Sequence, residues 1–192
     1  MPPPVRIHGY PISTWTRTAR MTCVEKGIAY ELVPVDYGSE AHGEMHPFRK
    51  MPVLEVDGLF VVESLAVTGY LDEAFGGPSL QPENVVARAR MRTWMGICAD
   101  YLWRDVVRGL PRGTPPSDEQ EEAARTAFER AQSLGIEGPF LLGEAPTLAD
   151  LYLAPQVANC REKAPEVLGG LEDLGAWWDT VSRRPSLTDT EP

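Results

Sequence analysis

The pattern of apolar and polar positions changes its period once along the chain, near residue 80. Before that point the apolar residues fall in short β-prone runs, Val5 to Gly9, Tyr30 to Asp36, Val53 to Val56 and Leu59 to Val62. Asp57-Gly58 between the last two runs is a strong two-residue hairpin signal. Pro34 removes a ladder donor from the second run, which predicts a strand at the edge of its sheet. Between the first two runs, Thr14 to Lys26 reads as a helix, entered through Tyr10-Pro11-Ile12-Ser13-Thr14 and stopped at Gly27, where a left-handed residue is wanted. A further helix opens near Ser64 and reaches about Phe75. A crossover helix makes the first two strands parallel, and the hairpin makes the last two antiparallel.

Gly76-Gly77-Pro78 breaks that helix, and the strand signals give way to helical patterns rich in Ala, Leu, Arg and Glu. A long helix is predicted from about Val85 to Leu110, with Met91, Trp94, Met95, Cys98, Tyr101 and Leu102 at spacings of three and four on a buried face. Pro111 to Pro116 is a linker, and Ser117 with Gln120 forms a capping box before a charged amphipathic helix that ends near Leu134. Thr147 with Asp150 repeats that box before Leu151 to Val157, and a last helix covers about Leu174 to Ser182. The expected fold class is therefore an α/β N-terminal domain with a mixed four-stranded sheet, residues 1–78, followed by an all-α C-terminal domain, residues 85–192. The strand and helix order of the first domain is similar to thioredoxin.

Composition narrows the function. The formal net charge of -10 argues against nucleic acid or an anionic membrane surface as partner, since both demand clustered Lys and Arg. Nowhere are there ~18 consecutive apolar residues for a membrane span, and no secretory leader is apparent, so a cytoplasmic protein is expected. The odd number of cysteines, Cys23, Cys98 and Cys160, fits a reduced compartment and structural thiols better than a disulfide framework. His8, His42 and His46 have no metal-ligand spacing, and no metal is expected.

Four stretches carry a resemblance to a known family. They are Ser13-Thr14-Trp15-Thr16-Arg17 at the first strand-to-helix turn, Lys50-Met51-Pro52-Val53-Leu54, Glu63-Ser64-Leu65-Ala66-Val67, and Phe140-Leu141-Leu142-Gly143 leading to Thr147-Leu148-Ala149-Asp150. In this order and spacing the chain resembles the cytosolic glutathione transferases, in particular the serine-type bacterial members. The resemblance implies a thioredoxin-like domain that binds glutathione as cosubstrate, a helical domain that shapes the pocket for an electrophilic small molecule, and a detoxifying transfer reaction.

A free thiol with a pKa near ~8.5 is mostly protonated near neutral pH, so such a site must stabilise the thiolate. A hydroxyl at the positive end of a helix does so by a charge-assisted hydrogen bond and by the helix dipole. Ser13 is the candidate, with Thr14 or Thr16 as alternative donors, and helix capping alone is the other role open to that serine. The resemblance implies a cis bond before Pro52, backbone pairing of Met51 with the cysteinyl part of glutathione, and recognition of the γ-glutamyl group by Glu63 and Ser64. Lys50 is a candidate partner for the glycyl carboxylate, with His46 and Arg17 as weaker ones. Tyr10, Ile12, Trp15, Trp94, Tyr101 and Trp103 are candidates for an apolar wall against the second substrate. Ala66, Val67 and Tyr70, with the basic run Arg88, Arg90 and Arg92, suggest a homodimer. Alternative functions on the same fold are a glutathione-dependent isomerase, a dehalogenase, an ether-cleaving enzyme, or a non-catalytic binding module. The turn lacks a leading cysteine, which disfavours thiol-transferase chemistry, and it lacks the Ser-Ser-Cys form of the zeta-like isomerases.

Overall fold

Alternation along β1 (Val5–His8) sets the first layer. Val5 and Ile7 are buried on one face, while Arg6 and His8 on the other meet Glu31 and Glu55 of the neighbouring strands. The computed structural model describes residues 4–192. The sheet order is β2-β1-β3-β4, with β2 at Tyr30–Val33, β3 at Val53–Val56 and β4 at Leu59–Val61. β1 runs parallel to β2 and antiparallel to β3, and β3 pairs antiparallel with β4. β2 lies at the edge as predicted, but it ends at Val33 rather than Asp36, and Pro34 stands just beyond the ladder.

The chain divides into two compact units, one made of the residues up to Ser79 together with Pro185–Pro192, the other of Leu80–Arg184. In the first, α1 (Thr14–Lys26) and α3 (Ser64–Ala74) pack together on the apolar face of the sheet. Val5, Ile7, Ala19, Cys23, Leu54, Val56, Val67 and Leu71 form this core. Gly27 ends α1 in the left-handed conformation at φ 67°, which a β-carbon disfavours. Just before it, the buried Lys26 ammonium donates to the Asp72 carbonyl at 2.9 Å and to its carboxylate at 3.0 Å, tying the end of α1 to α3. A short helix, α2 (Glu40–Met45), fills the β2–β3 connection. The tail forms α8 (Pro185–Thr188) and packs on α1.

In the second unit the predicted long helix is divided. α4 (Val85–Ile97) continues into an 11-residue π-helical segment, Cys98–Arg108, whose buried Cys98, Leu102 and Val106 recur every four residues. α5 (Asp118–Gln132) starts at the predicted capping box of Ser117 and Gln120. α6 (Leu148–Lys163) is buried on nearly every side, so its pattern has no polar face to mark its length, and it runs beyond the predicted Val157 with Pro155 inside it. α6 holds the π segment at both ends: Gln156 Nε2 donates to the Cys98 carbonyl at 3.0 Å, and Lys163 Nζ donates to the carbonyls of Val107 at 3.1 Å and Leu110 at 2.8 Å. α7 (Glu172–Val181) completes the unit. Among the described residues no helix is long and apolar enough to cross a membrane.

Candidate functional site

Strand directions gather the sequence-predicted residues. The pair His8↔Val53 puts the C-terminal end of β1 beside the N-terminal end of β3, and Leu54↔Val61 puts the C-terminal end of β4 at the same place. The turn after β1 carries Ser13, the segment before β3 carries Lys50-Met51-Pro52, and the residues after β4 are Glu63 and Ser64. All three segments therefore leave one end of a single sheet.

Ser13 is the N-cap of α1 and is half-buried. Its Oγ accepts a long hydrogen bond, 3.4 Å, from the Thr16 backbone N–H, and among the described residues its own proton has no protein acceptor. Capping thus uses an oxygen lone pair and leaves the O–H at the positive end of the helix. The neighbouring threonines are less accessible. Thr16 is fully buried beneath Gly9, where any β-carbon would collide with it, and Thr14 is buried within the turn.

The Met51–Pro52 peptide is cis, and Met51 lies outside the ladder that begins at Val53. Its approach is fixed by His42, which is fully buried. The Gly38 N–H donates to His42 Nδ1 at 3.2 Å, so the ring proton sits on Nε2 and is donated to the Lys50 carbonyl at 2.9 Å. Lys50 itself has an exposed side chain.

Glu63 is the N-cap of α3 in an unusual conformation, φ 67° and ψ 123°, which a non-glycine residue adopts at a cost of about 1–3 kcal/mol. Its side chain makes no capping hydrogen bond and is exposed, so capping does not occupy the carboxylate. The first intrahelical bond of α3 is from Val67 N–H to the Glu63 carbonyl at 2.9 Å, which leaves the N–H groups of Ser64, Leu65 and Ala66 ahead of the ladder. An exposed carboxylate beside a helix N-terminus sets opposite charges next to each other, suited to a ligand that carries both an ammonium and a carboxylate.

The two weaker candidates are both buried. Arg17 is buried and turned toward the tail: its Nη2 donates to the Leu187 carbonyl at 2.9 Å, while Arg20 Nη1 donates to the Thr190 carbonyl at 2.9 Å. His46 is buried behind Glu63, with burial as the main cause that lowers its pKa. Tyr10 is half-buried and its hydroxyl is bonded to the Val35 carbonyl, so its polar end braces the turn. Trp94 lies in the core of the second unit, whereas the exposed Tyr101 lines a cavity of about 530 Å³ with Ile97, Arg104, Ala123 and Ala127. The three cysteines are buried, and burial pushes the thiols of Cys23 and Cys160 up to about 12, which leaves them poor nucleophiles. The bracing roles of Tyr10 and His42 were missed in the sequence. The only signal was a pair of histidines four residues apart, which places both on one side of a short helical turn.

The fold is that of a thioredoxin-like domain joined to a helical domain. Family models agree: the glutathione S-transferase N-terminal domain matches residues 7–79 and the glutathione S-transferase C-terminal domain matches residues 101–185. The chain belongs to the cytosolic glutathione transferase superfamily. It is 34% identical over 152 residues to maleylacetoacetate isomerase of Rhizobium meliloti (strain 1021), covering 70% of this chain and 71% of that one. To glutathione S-transferase 3 of Zea mays it is 26% identical over 208 residues, covering 97% and 93% of the two chains. The crystal structure of glutathione transferase F7 from Populus trichocarpa superimposes with a TM-score of 0.84 at 25% identity, over 97% of each chain.

Proposed function

We propose that this chain is an enzyme that binds glutathione at the described end of the sheet and uses its thiolate to attack a small electrophile. Ser13 is the thiol activator. Glu63 and Ser64 hold the γ-glutamyl end, the Met51 backbone before cis-Pro52 pairs with the cysteinyl part, and Lys50 faces the glycyl carboxylate. The observation that carries the reading is the Ser13 hydroxyl, whose oxygen caps α1 while its proton has no protein acceptor among the described residues. A thiolate seated there receives both the O–H and the field of the helix N-terminus. The thiolate is itself the nucleophile, so this chemistry calls for no metal or redox cofactor. Function in a reducing cytoplasm fits the three buried, unpaired cysteines. A homodimer fits the exposed Leu65 and Ala66 on α3 and the exposed Val85 and Val86 on α4. The basic run is a weaker reason for it, because Arg88 is bonded to the Pro82 carbonyl and Arg90 is paired with Glu137 within the same unit.

The test is the thiolate absorbance of bound glutathione against pH. One charge-assisted hydrogen bond contributes about 1.5–3 kcal/mol, and about 1.4 kcal/mol corresponds to one pKa unit, so Ser13→Ala should raise the bound thiol's pKa by roughly 1 to 2 units. Affinity for glutathione at a pH where the thiol is protonated should change little. An unmoved titration curve in Ser13→Ala, with a shift in Thr14→Ala instead, would transfer the role to the threonine.

The identity with a maleylacetoacetate isomerase favours a second reading, in which the same thiolate adds to an unsaturated substrate and is expelled after rotation about the bond. Stoichiometry separates the two. Transfer consumes one glutathione per turnover, and isomerisation returns it.

A further inference from the structure

Glu63 stands in front of a buried histidine whose ring is fixed by a neighbouring backbone group. The Phe48 N–H donates to His46 Nδ1 at 3.2 Å, so the neutral ring carries its proton on Nε2. That nitrogen lies 3.8 Å from Glu63 Oε1. The separation exceeds a hydrogen bond, but the exposed Glu63 side chain needs only a small rotation to close it, and the ring, 1% exposed, has nowhere to turn. We propose that His46 is a positioning residue for glutathione binding: its Nε2–H holds one oxygen of the Glu63 carboxylate and aims the other at the ligand ammonium. The inference rests on the reading of Glu63 as the γ-glutamyl contact.

The parts fit this use. A carboxylate has about four lone-pair sites on its two oxygens, so one oxygen can accept from the imidazole while the other meets the ammonium. Protonating His46 would set a second N–H against the Phe48 N–H, so the hydrogen-bond pattern requires the neutral ring. The charged and titratable groups around it are Glu63, His42 and Lys50; burial and the latter two disfavour the imidazolium, and Glu63 alone favours it. A neutral donor orients the carboxylate without cancelling the charge that the ammonium needs.

The two ring nitrogens have separable isosteres. Asn offers an oxygen near the place of Nδ1 and nothing at Nε2; Gln offers an amide nitrogen near Nε2 and nothing at Nδ1. His46→Asn should keep the loop bond and the melting temperature but raise the KM for glutathione about threefold to tenfold with kcat within about twofold. His46→Gln should melt earlier and keep a KM closer to wild type. In a Glu63→Gln background the effect of His46→Asn on KM should fall below about twofold, because the carboxylate it orients is gone. Equal rises in KM for His46→Asn with and without Glu63, or an unchanged KM in folded His46→Asn, would overturn the proposal while leaving the glutamyl site intact. If Glu63→Gln alone leaves glutathione affinity unchanged, the underlying reading fails and this inference falls with it.

Discussion

Replacing Asp150 by Ala should be the most damaging single truncation in the helical unit. Its fully buried carboxylate accepts from four donors: the Leu141 N–H at 2.8 Å and Trp177 Nε1–H at 2.9 Å on one oxygen, the Thr147 N–H at 2.8 Å and Thr147 hydroxyl at 3.0 Å on the other. Burial pushes its pKa up, while the bonds from Leu141, Trp177 and Thr147 oppose that shift by favouring the charged form. Each buried donor left without a partner costs about 1–3 kcal/mol, and loss of a helix cap costs about 1 kcal/mol more. The Thr147 hydroxyl can rotate away, but the Leu141, Thr147 and Trp177 N–H groups have little freedom. Partial relaxation then leaves an expected loss of about 3 to 5 kcal/mol, a large share of the 5–15 kcal/mol typical of a domain. Asp150→Asn should rescue little, since either orientation of the amide turns its NH₂ against at least one fixed N–H donor. Urea unfolding followed by tryptophan fluorescence reads this directly. A loss under about 1.5 kcal/mol for the Ala variant, with an unchanged m-value, would refute the reasoning that these donors have no other partner.

Burial holds the pKa of His46 below its ordinary value near 6.5, so the unfolded chain binds the proton more readily than the native one. Stability should therefore decline as pH falls below about 6.5 and level off below the native pKa, and the decline should be shallower in His46→Asn, checked by urea midpoints across that range. Light scattering at micromolar concentration should give twice the chain mass, and Leu65→Glu or Val86→Glu should shift it toward the monomer; a monomeric wild type would remove the dimer from the proposed reading.

The first unit was legible because its signals are local. The Asp57-Gly58 turn, Gly27 with its left-handed φ, Pro34 after an edge strand and Ser13 before the first helix each mark a boundary by the chemistry of one or two residues. The connection holding α2 read only as loop or helix because six residues are too few to show a helical period, and α8 escaped because a four-residue turn after Pro185 has no amphipathic face at all. The π-helical turn after Ile97 was hidden for another reason. Apolar residues spaced by four fit either helix, and what coincides with the change is Gln156 on α6, 58 residues away, taking the Cys98 carbonyl. The candidate site divided in the same way. Ser13, Met51, Pro52, Glu63 and Ser64 sit at element ends that the sequence marks, whereas the fate of Arg17 depended on a tail at the far end of the chain. No local pattern announces that a guanidinium will be spent on the carbonyl of Leu187.

The charge of the chain adds a condition on how such a site can work. Glutathione has two carboxylates against one ammonium and gains a further negative charge as the thiolate, yet the protein carries a net charge of -10. The long-range field therefore opposes encounter, and attraction must be local. In the proposed reading the three sheet-end segments supply it at short range: the N-terminus of α1 behind Ser13, the N-terminus of α3 at Ser64, and the exposed Lys50. Against these Glu63 is the one acidic group assigned to the ligand, and it matches the one cation the ligand has. On that reading selectivity lies in the match of counts, because a ligand lacking the ammonium would meet Glu63 as an uncompensated repulsion, and one lacking the carboxylates would gain nothing from the helix ends.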